Sequence, residues 1–425
     1  MTALWNVIHG RASLIHEPNE VRILQVVRAR GEISRIEIAK SVNLHKGTIT
    51  DLVAKLIRAG FLEETGQVVS SNRVGRKRIL LRFRPLAGLV AGVDIGMTHA
   101  QVALTDLNAD ILQESSFDYP VDASSKEVLR KVASTIHDLL VATKHKQSKL
   151  VGIGIGVQGV VDTRTNSLVL SHNKKGWEGE SLSSVLEGQF HVPVYVENDV
   201  KTMTIGEYLL GAAKGIRDFI HIWVGEGLGA GIMINGYLLH GITSSAGEVG
   251  YNSLESTGMY AERFPLIYNE QVMFGDILTD TNLVESYRRH ATARDQPAPT
   301  VAGVAQRAGA GDEIARRVID EYVSMLSIVC INMVNILNPE LILVGGKLAQ
   351  SLPDVATMLQ NRIHRDLLGP PAEAVRVRPA KHGKNGVILG AVSLVLYELF
   401  EPLHSIRMRA SHEKLLARAE EVTQD

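Results

Sequence analysis

Residues 89–98 read Leu-Val-Ala-Gly-Val-Asp-Ile-Gly-Met-Thr, an apolar run that breaks into a short polar turn. The pattern predicts a buried strand over Leu89–Ile95 running into a loop at Asp94-Ile95-Gly96-Met97-Thr98. Residues 101–105 and 111–115 predict the next strands of a meander. The same grammar returns at 219–234, around Gly225-Glu226-Gly227-Leu228-Gly229-Ala230-Gly231. Glycines let backbone amides approach phosphate oxygens, and a short polar residue such as Thr98 bonds them. A lone glycine-rich loop is weak evidence. Two strand–loop–strand units, more than a hundred residues apart, predict a duplicated nucleotide-binding architecture.

The chain on the N-terminal side of this stretch has a different character. At 425 residues the sequence predicts two or three folded units. Residues 1–85 hold 15 Lys/Arg against seven Asp/Glu, a net +8; the whole chain is −1, so the other 340 residues carry −9. A basic segment ahead of a mildly acidic one predicts a polyanion-binding module. The single cysteine, Cys330, excludes an internal disulfide and a cysteine-rich metal cage. Residues 1–18 lack the apolar core of a signal peptide, so a cytoplasmic location is expected. The most membrane-like stretch, 325–346, is interrupted by Asn332, Asn335, Asn338 and Pro339, which predicts a buried helix followed by a buried strand.

Residues 19–60 read as three short helices. The first, about 19–28, repeats Val21, Leu24, Val27 and Arg28 along a helical period. Ser34-Arg35-Ile36-Glu37 is a capping box that starts the second, and a tight turn at Asn43-Leu44 ends it. The third carries Ile49, Leu52, Val53, Leu56 and Ile57 as one apolar stripe, with Lys46, Thr48, Thr50 and Lys55 on the other face. Residues 61–83 predict a β-hairpin whose tip, 70–78, includes Arg73, Arg76 and Lys77. Three helices and a basic hairpin make a winged helix-turn-helix over 1–84, whose third helix enters the major groove of operator DNA. The wing's cations neutralise phosphates or enter a neighbouring groove. Lys46, Thr48, Thr50, Arg73, Arg76 and Lys77 are the expected DNA contacts.

From residue 89 to about 395 the sequence resembles the ROK family, which groups sugar kinases with repressors built on their fold. The resemblance rests on Asp94-x-Gly96-x-Thr98, the Gly154 to Asp162 segment, Asn173 with Gly176-Trp177, and Glu197-Asn198-Asp199. It continues through Gly225 to Ile232, Ala246-Gly247-Glu248-Val249-Gly250, and Asn335 to Glu340 ahead of Leu341 to Gly346. It implies an α/β actin-like ATPase fold of two lobes over 89–400, followed by a helical tail, 401–425. The winged helix ahead of it resembles the family's repressor branch, of which xylose- and glucose-responsive repressors are examples.

Carried over residue by residue, the resemblance makes Asn173, Asn198, Asp199 and Glu248 the hydrogen-bonding partners of sugar hydroxyls. In a kinase Asp199 is also the general base. Asp94, Gly96, Thr98, Gly225, Gly227 and Gly229 are what remains of the nucleotide loops. Two departures argue against ATP turnover: Met97 stands where kinases carry a second glycine, and Glu226 where they carry threonine. A carboxylate facing a triphosphate repels it. The family's structural zinc is expected to be absent. Tyr251 replaces its histidine, no cysteine lies between Asn252 and Gly275, and His221 and His240 are read as satisfied histidines rather than substitute ligands.

The function expected is a transcriptional repressor of carbohydrate genes, a homodimer or dimer of dimers on a palindromic operator, released by a small sugar, with no membrane partner and no cofactor. The alternatives are an active ATP-dependent sugar kinase that also binds DNA, and a repressor controlled by a protein partner.

Overall fold

Pro18 opens the first helix, α1 (Pro18–Arg30), at a position where its missing N–H would have found no helical partner. The computed structural model describes residues 18–69, 78–171, 174–253, 258–268, 273–291, 299–367 and 369–400. After α1 come β1 (Glu32–Ser34), α2 (Arg35–Val42) and α3 (Lys46–Arg58), then β2 (Leu62–Val69) and β3 (Arg78–Phe83). The Glu37 carboxylate accepts from the Ser34 amide at 3.0 Å and from its hydroxyl at 2.6 Å, so the predicted capping box forms. Asn43, at φ 54°, turns the chain between α2 and α3. Ile23, Leu24, Val27, Ile38, Val42, Ile49, Val53 and Leu56 are buried together behind the exposed face of α3.

The hairpin is one strand larger than predicted. β1 pairs with β3, Ile33 opposite Leu81, giving the order β1-β3-β2. Three residues are too few to carry a readable alternation, which is why the sequence hid it. The tip residues Arg73, Arg76 and Lys77 lie outside the described residues. Arg28, on the same helical repeat, is half-buried. Its guanidinium sits 4.1 Å from the Phe400 ring centroid and 5.5 Å from that of Phe83, and it donates to the Leu107 carbonyl at 3.0 Å. Gln25 Nε2 donates to the Phe400 carbonyl at 2.7 Å, so the winged helix is fastened to the structure that follows it.

The chain divides into two compact units. The first comprises residues 1–157, 164–196 and 391–425, and the second 158–163 and 197–390. In the first unit, β4 (Leu89–Ile95), β5 (His99–Asp106), β6 (Ile111–Asp118), β7 (Leu150–Val157) and β10 (Val194–Asn198) form a sheet ordered β10-β7-β4-β5-β6. β9 (Ser167–Leu170) is a further short strand of this unit, whereas β8 (Val160–Asp162) belongs to the second. β4–β5 and β5–β6 are antiparallel, and β4–β7 is parallel. Helix α4 (Ser125–Ala142), capped by Ser124 and Glu127, buries Val128, Val132, Ile136 and Leu139. Helix α5 (Ser184–Phe190) follows.

Most of the second unit follows the corner between β10 and α6 (Asp199–Leu209). Its sheet runs β13-β12-β11-β14-β15, from β11 (Phe219–Val224), β12 (Leu228–Ile234), β13 (Tyr237–Leu238), β14 (Leu341–Gly346) and β15 (Arg376–Pro379). β11–β12 is antiparallel; β11–β14 and β14–β15 are parallel. Each sheet therefore has the order third-second-first-fourth-fifth, the duplication that the two loops predicted. Helices α7 (Asp280–His290), α8 (Val301–Gly309), α9 (Glu313–Leu337) and α10 (Val355–Asp366) contribute to its core. α9 is long and apolar enough to cross a membrane, yet Val318, Tyr322, Met325, Val329 and Cys330 face the core of this unit. Asn338, at φ 46°, ends α9, and every residue of β14 is buried, as the interrupted apolar stretch predicted. The last described helix is α11 (Gly386–Phe400); the tail, 401–425, lies outside the described residues.

Candidate functional site

On the winged helix, Lys46, Thr48 and Thr50 are exposed on the first turns of α3, while Ile49 and Val53 anchor the opposite face. The helix starts at His45, whose side chain makes no cap hydrogen bond, so the side-chain cap that would answer the first-turn amides is missing. Such an end, with the positive pole of the helix behind it, suits a phosphate. The Thr50 hydroxyl donates to the Lys46 carbonyl at 2.9 Å and still offers its lone pairs outward. Lys55, expected on the same face, is instead bound at 2.6 Å to Glu20, which is fully buried; it serves the fold. On the wing strands, Glu63 holds Arg82 and Arg84, and Glu64 holds Arg35.

In the second unit, the strand-to-helix corner places Asn198 and Asp199 side by side. Asn198 is buried and caps α6. Its Nδ2 donates to Gly159 O and to Asp199 Oδ1, both at 3.0 Å, and its Oδ1 accepts from the Lys201 amide at 3.1 Å. Both of its donor hydrogens are thus engaged within the protein. Asp199, half-buried on the first turn of α6, accepts from the Val200 amide at 2.9 Å. Glu248 is half-buried too, and the charges of Glu248 and Asp276 add to burial in raising the Tyr251 hydroxyl above the ordinary tyrosine range. Gly247 docks this segment on the sheet, at φ +88° with a Cβ position 1.9 Å from Ala230 O, so only glycine fits. Asn173 lies outside the described residues.

Of the two histidines set aside as ligands, His240 is satisfied, its Nε2 meeting Glu197 Oε2 at 2.6 Å. His221, wholly buried on β11 and edge-on to Trp223, is not: its Nδ1 lies 3.4 Å from Thr204 Oγ1, but its Nε2 has no hydrogen-bond partner among the described residues. Burial pushes His221 down to about 4. Among the described residues no group of three or more His, Cys, Asp or Glu gathers as a metal site.

The two glycine loops differ in what surrounds them. At the first, the Gly96 carbonyl accepts from Tyr119 Oη at 2.5 Å, and Lys174 Nζ donates to the Met97 carbonyl at 2.8 Å and to Tyr119 Oη at 2.5 Å. The Lys174 ammonium also lies over the rings of Tyr119 and Trp177, 4.6 and 4.7 Å from their centroids. Burial lowers Lys174 to about 8 and raises the Asp94 carboxyl to about 6, against the opposing pull of His99. Lys174 and Tyr119 were not legible as site residues, because neither belongs to a periodic pattern. At the second loop, the Glu226 carboxylate accepts from Gln158 Nε2 at 3.2 Å. The Gly225 carbonyl receives the Asp280 amide at 2.8 Å, and Lys347 pairs with Asp280 at 3.0 Å.

Comparison with known proteins agrees with this architecture. The ROK family model matches residues 90–398, and the MarR family model matches residues 17–65. A putative xylose repressor from a Caldicellulosiruptor species is 27% identical over 401 residues, covering 92% of this chain and 98% of its own. Among solved structures, a ROK family transcriptional regulator described as a homologue of Escherichia coli Mlc superposes with a TM-score of 0.77 at 20% identity, over 93% of this chain and 98% of its own. A ROK family glucokinase from Streptomyces griseus, solved with glucose and AMPPNP, gives a TM-score of 0.58 at 24% identity, over 72% of this chain and 99% of its own.

Proposed function

The chain belongs to the ROK family, and from that premise we propose that it is a DNA-binding transcriptional repressor of carbohydrate genes, released by a sugar. The observation that carries the reading is the winged helix itself. α3 presents Lys46, Thr48 and Thr50 outward, ahead of a ROK domain, and relatives of that whole arrangement carry the name repressor. A two-fold dimer, or a dimer of dimers, would set two copies of α3 on a palindromic operator. A sugar held at Asp199 and Glu248 relieves repression only if it binds the non-DNA-binding arrangement more tightly. Asn198 supports the site as a cap that fixes Asp199. Asn173 completes the proposed set.

The kinase reading draws on the shared fold and on Asp199, which suits a general base. Against it stand Met97 and Glu226; a carboxylate in the second loop opposes a triphosphate. We hold the protein to be a sensor without kinase turnover, and without the family's zinc, since its only cysteine is buried in α9.

Selection of operator fragments from genomic DNA by the purified protein, followed by gel shifts with and without D-xylose or D-glucose, tests this. Lys46→Ala or Thr48→Ala should change sequence preference, whereas Arg76→Ala with Lys77→Ala should flatten the salt dependence by roughly 0.9 in log–log slope per lost phosphate contact. Failure of both pairs to alter binding would remove the winged helix from the mechanism.

A further inference from the structure

The segment leading to Glu248 is tied to the Glu197–Asp199 corner by two side chains. His240 Nε2 reaches Glu197 Oε2 at 2.6 Å, with Glu197 almost fully buried and His240 about a quarter exposed. The other oxygen of the same carboxylate accepts the Asn198 amide at 2.8 Å. One carboxylate therefore fixes both the backbone just ahead of Asp199 and the ring of His240. The second tie is Lys201, buried on α6, whose ammonium donates to the Ser244 carbonyl. Between the ties the segment is folded back on itself: the Ala246 amide bonds the His240 carbonyl at 2.9 Å, and Ser244 adopts the left-handed region at φ 61°. It then enters Gly247, whose carbonyl is held by the Ala230 amide at 2.8 Å.

We infer that His240 is a positioning residue: through Glu197 it fixes residues 240–248 against the Asp199 corner, and so sets the spacing at which Asp199 and Glu248 are presented to a sugar. A charge-assisted hydrogen bond with one partner buried is among the stronger side-chain contacts available to a loop. Two hydroxyl-binding carboxylates on separate elements need a fixed separation to act on one ring. The inference rests on the proposed sugar reading for its ligand, but the clamp is a property of the unliganded chain and is measurable by itself.

The test compares His240→Ala with His240→Gln, whose amide nitrogen stands close to where Nε2 stood and keeps a donor for Glu197. Hydrogen exchange of the full-length protein without sugar should show residues 241–250 exchanging at least tenfold faster in His240→Ala and near the wild-type rate in His240→Gln. Calorimetry with D-xylose and D-glucose should show at least a tenfold loss of affinity for whichever sugar binds, largely restored in His240→Gln, with operator affinity in the absence of sugar unchanged. Unaltered exchange in His240→Ala would overturn the clamp. Faster exchange with unaltered sugar affinity would overturn its role in positioning. If neither sugar binds the wild type, the exchange result alone decides the clamp, and the sugar reading is what fails.

Discussion

The two five-stranded sheets share one strand order but surround their first strands with opposite chemistry. In the first unit, β4 carries a half-buried carboxyl, Asp94, next to its last residue, and its loop is gripped by an ammonium, Lys174. In the second, β11 carries a buried neutral imidazole, His221, and its loop carries an exposed carboxylate, Glu226. The strand order depends on continuous apolar runs that only a sheet covered on both faces can bury. The loops are under no such requirement. One architecture thus sets a cation, Lys174, beside one glycine loop and an anion, Glu226, in the other.

The largest effect that would sharpen this contrast comes from close backbone approaches. A Cβ at Gly154, in β7, would lie 1.8 Å from Ala391 O, and one at Gly247 would lie 1.9 Å from Ala230 O. Gly154→Ala and Gly247→Ala should each cost about 3 kcal/mol. In variants retaining one tryptophan, Trp177 reports the first unit and Trp223 the second. Gly154→Ala should lower the urea midpoint seen by Trp177 more than that seen by Trp223, and Gly247→Ala the reverse. Equal shifts at both probes would mean that the two units melt as one.

Next in size are two pH dependences of opposite sign. Asp94, raised to about 6, holds its proton in the folded state while the unfolded chain has lost it. Its contribution is present below the ordinary carboxylate range and is lost as pH rises to about 6. His221, lowered to about 4, behaves inversely, because only the unfolded chain takes up a proton between 6.5 and 4. Stability therefore rises with pH across that window. Each effect is on the order of 2–3 kcal/mol. In chemical denaturation from pH 4 to 7, Asp94→Asn should steepen the rise and His221→Gln should turn it into a fall. Parallel curves for both variants would break the contrast.

Lys174 gives a comparable effect in a different window. With the folded value lowered to about 8 from 10.5, the unfolded chain binds the extra proton between those limits, so stability rises with pH from 8 to 10.5. Lys174→Met should abolish that rise, of roughly 1–3 kcal/mol. The smallest effect concerns the loops themselves. Met97→Gly with Glu226→Thr removes one bulky side chain and one repulsive charge, worth roughly a kcal/mol, so ATP affinity should rise by about tenfold at most. Equilibrium dialysis with radiolabelled ATP checks it, and wild-type binding as tight as that of the double variant would show that Glu226 does not guard the loop.

The sequence disclosed those parts of the molecule whose physics is periodic or local. The α3 stripe, the Ser34–Glu37 box, the turn at Asn43 and the apolar strands β4, β11 and β14 each follow from neighbours within a few residues, where side-chain period and backbone preference act directly. Even there the partners of single side chains were not legible: Lys55, read on the outer face of the third helix, answers the buried Glu20, and Arg28, on the repeat of the first, lies against the rings of Phe83 and Phe400. Asn198, expected as a sugar ligand, caps α6 through its Oδ1, which accepts from the Lys201 amide, while its amide hydrogens go to Gly159 O and Asp199 Oδ1.

By itself, then, the sequence determined a winged helix, from its helical stripe, capping box and basic hairpin, and a duplicated strand–loop–strand unit, while the two-lobed α/β fold followed from the resemblance to the ROK family. Only the tertiary structure decided which charges are answered: Lys174 by Met97 and Tyr119, His240 by Glu197, Glu226 by Gln158. These partners lie between 43 and 77 residues apart along the chain. A hydrogen bond forms only within about 3 Å, and nothing in local spacing brings such residues to that distance. The packed fold does.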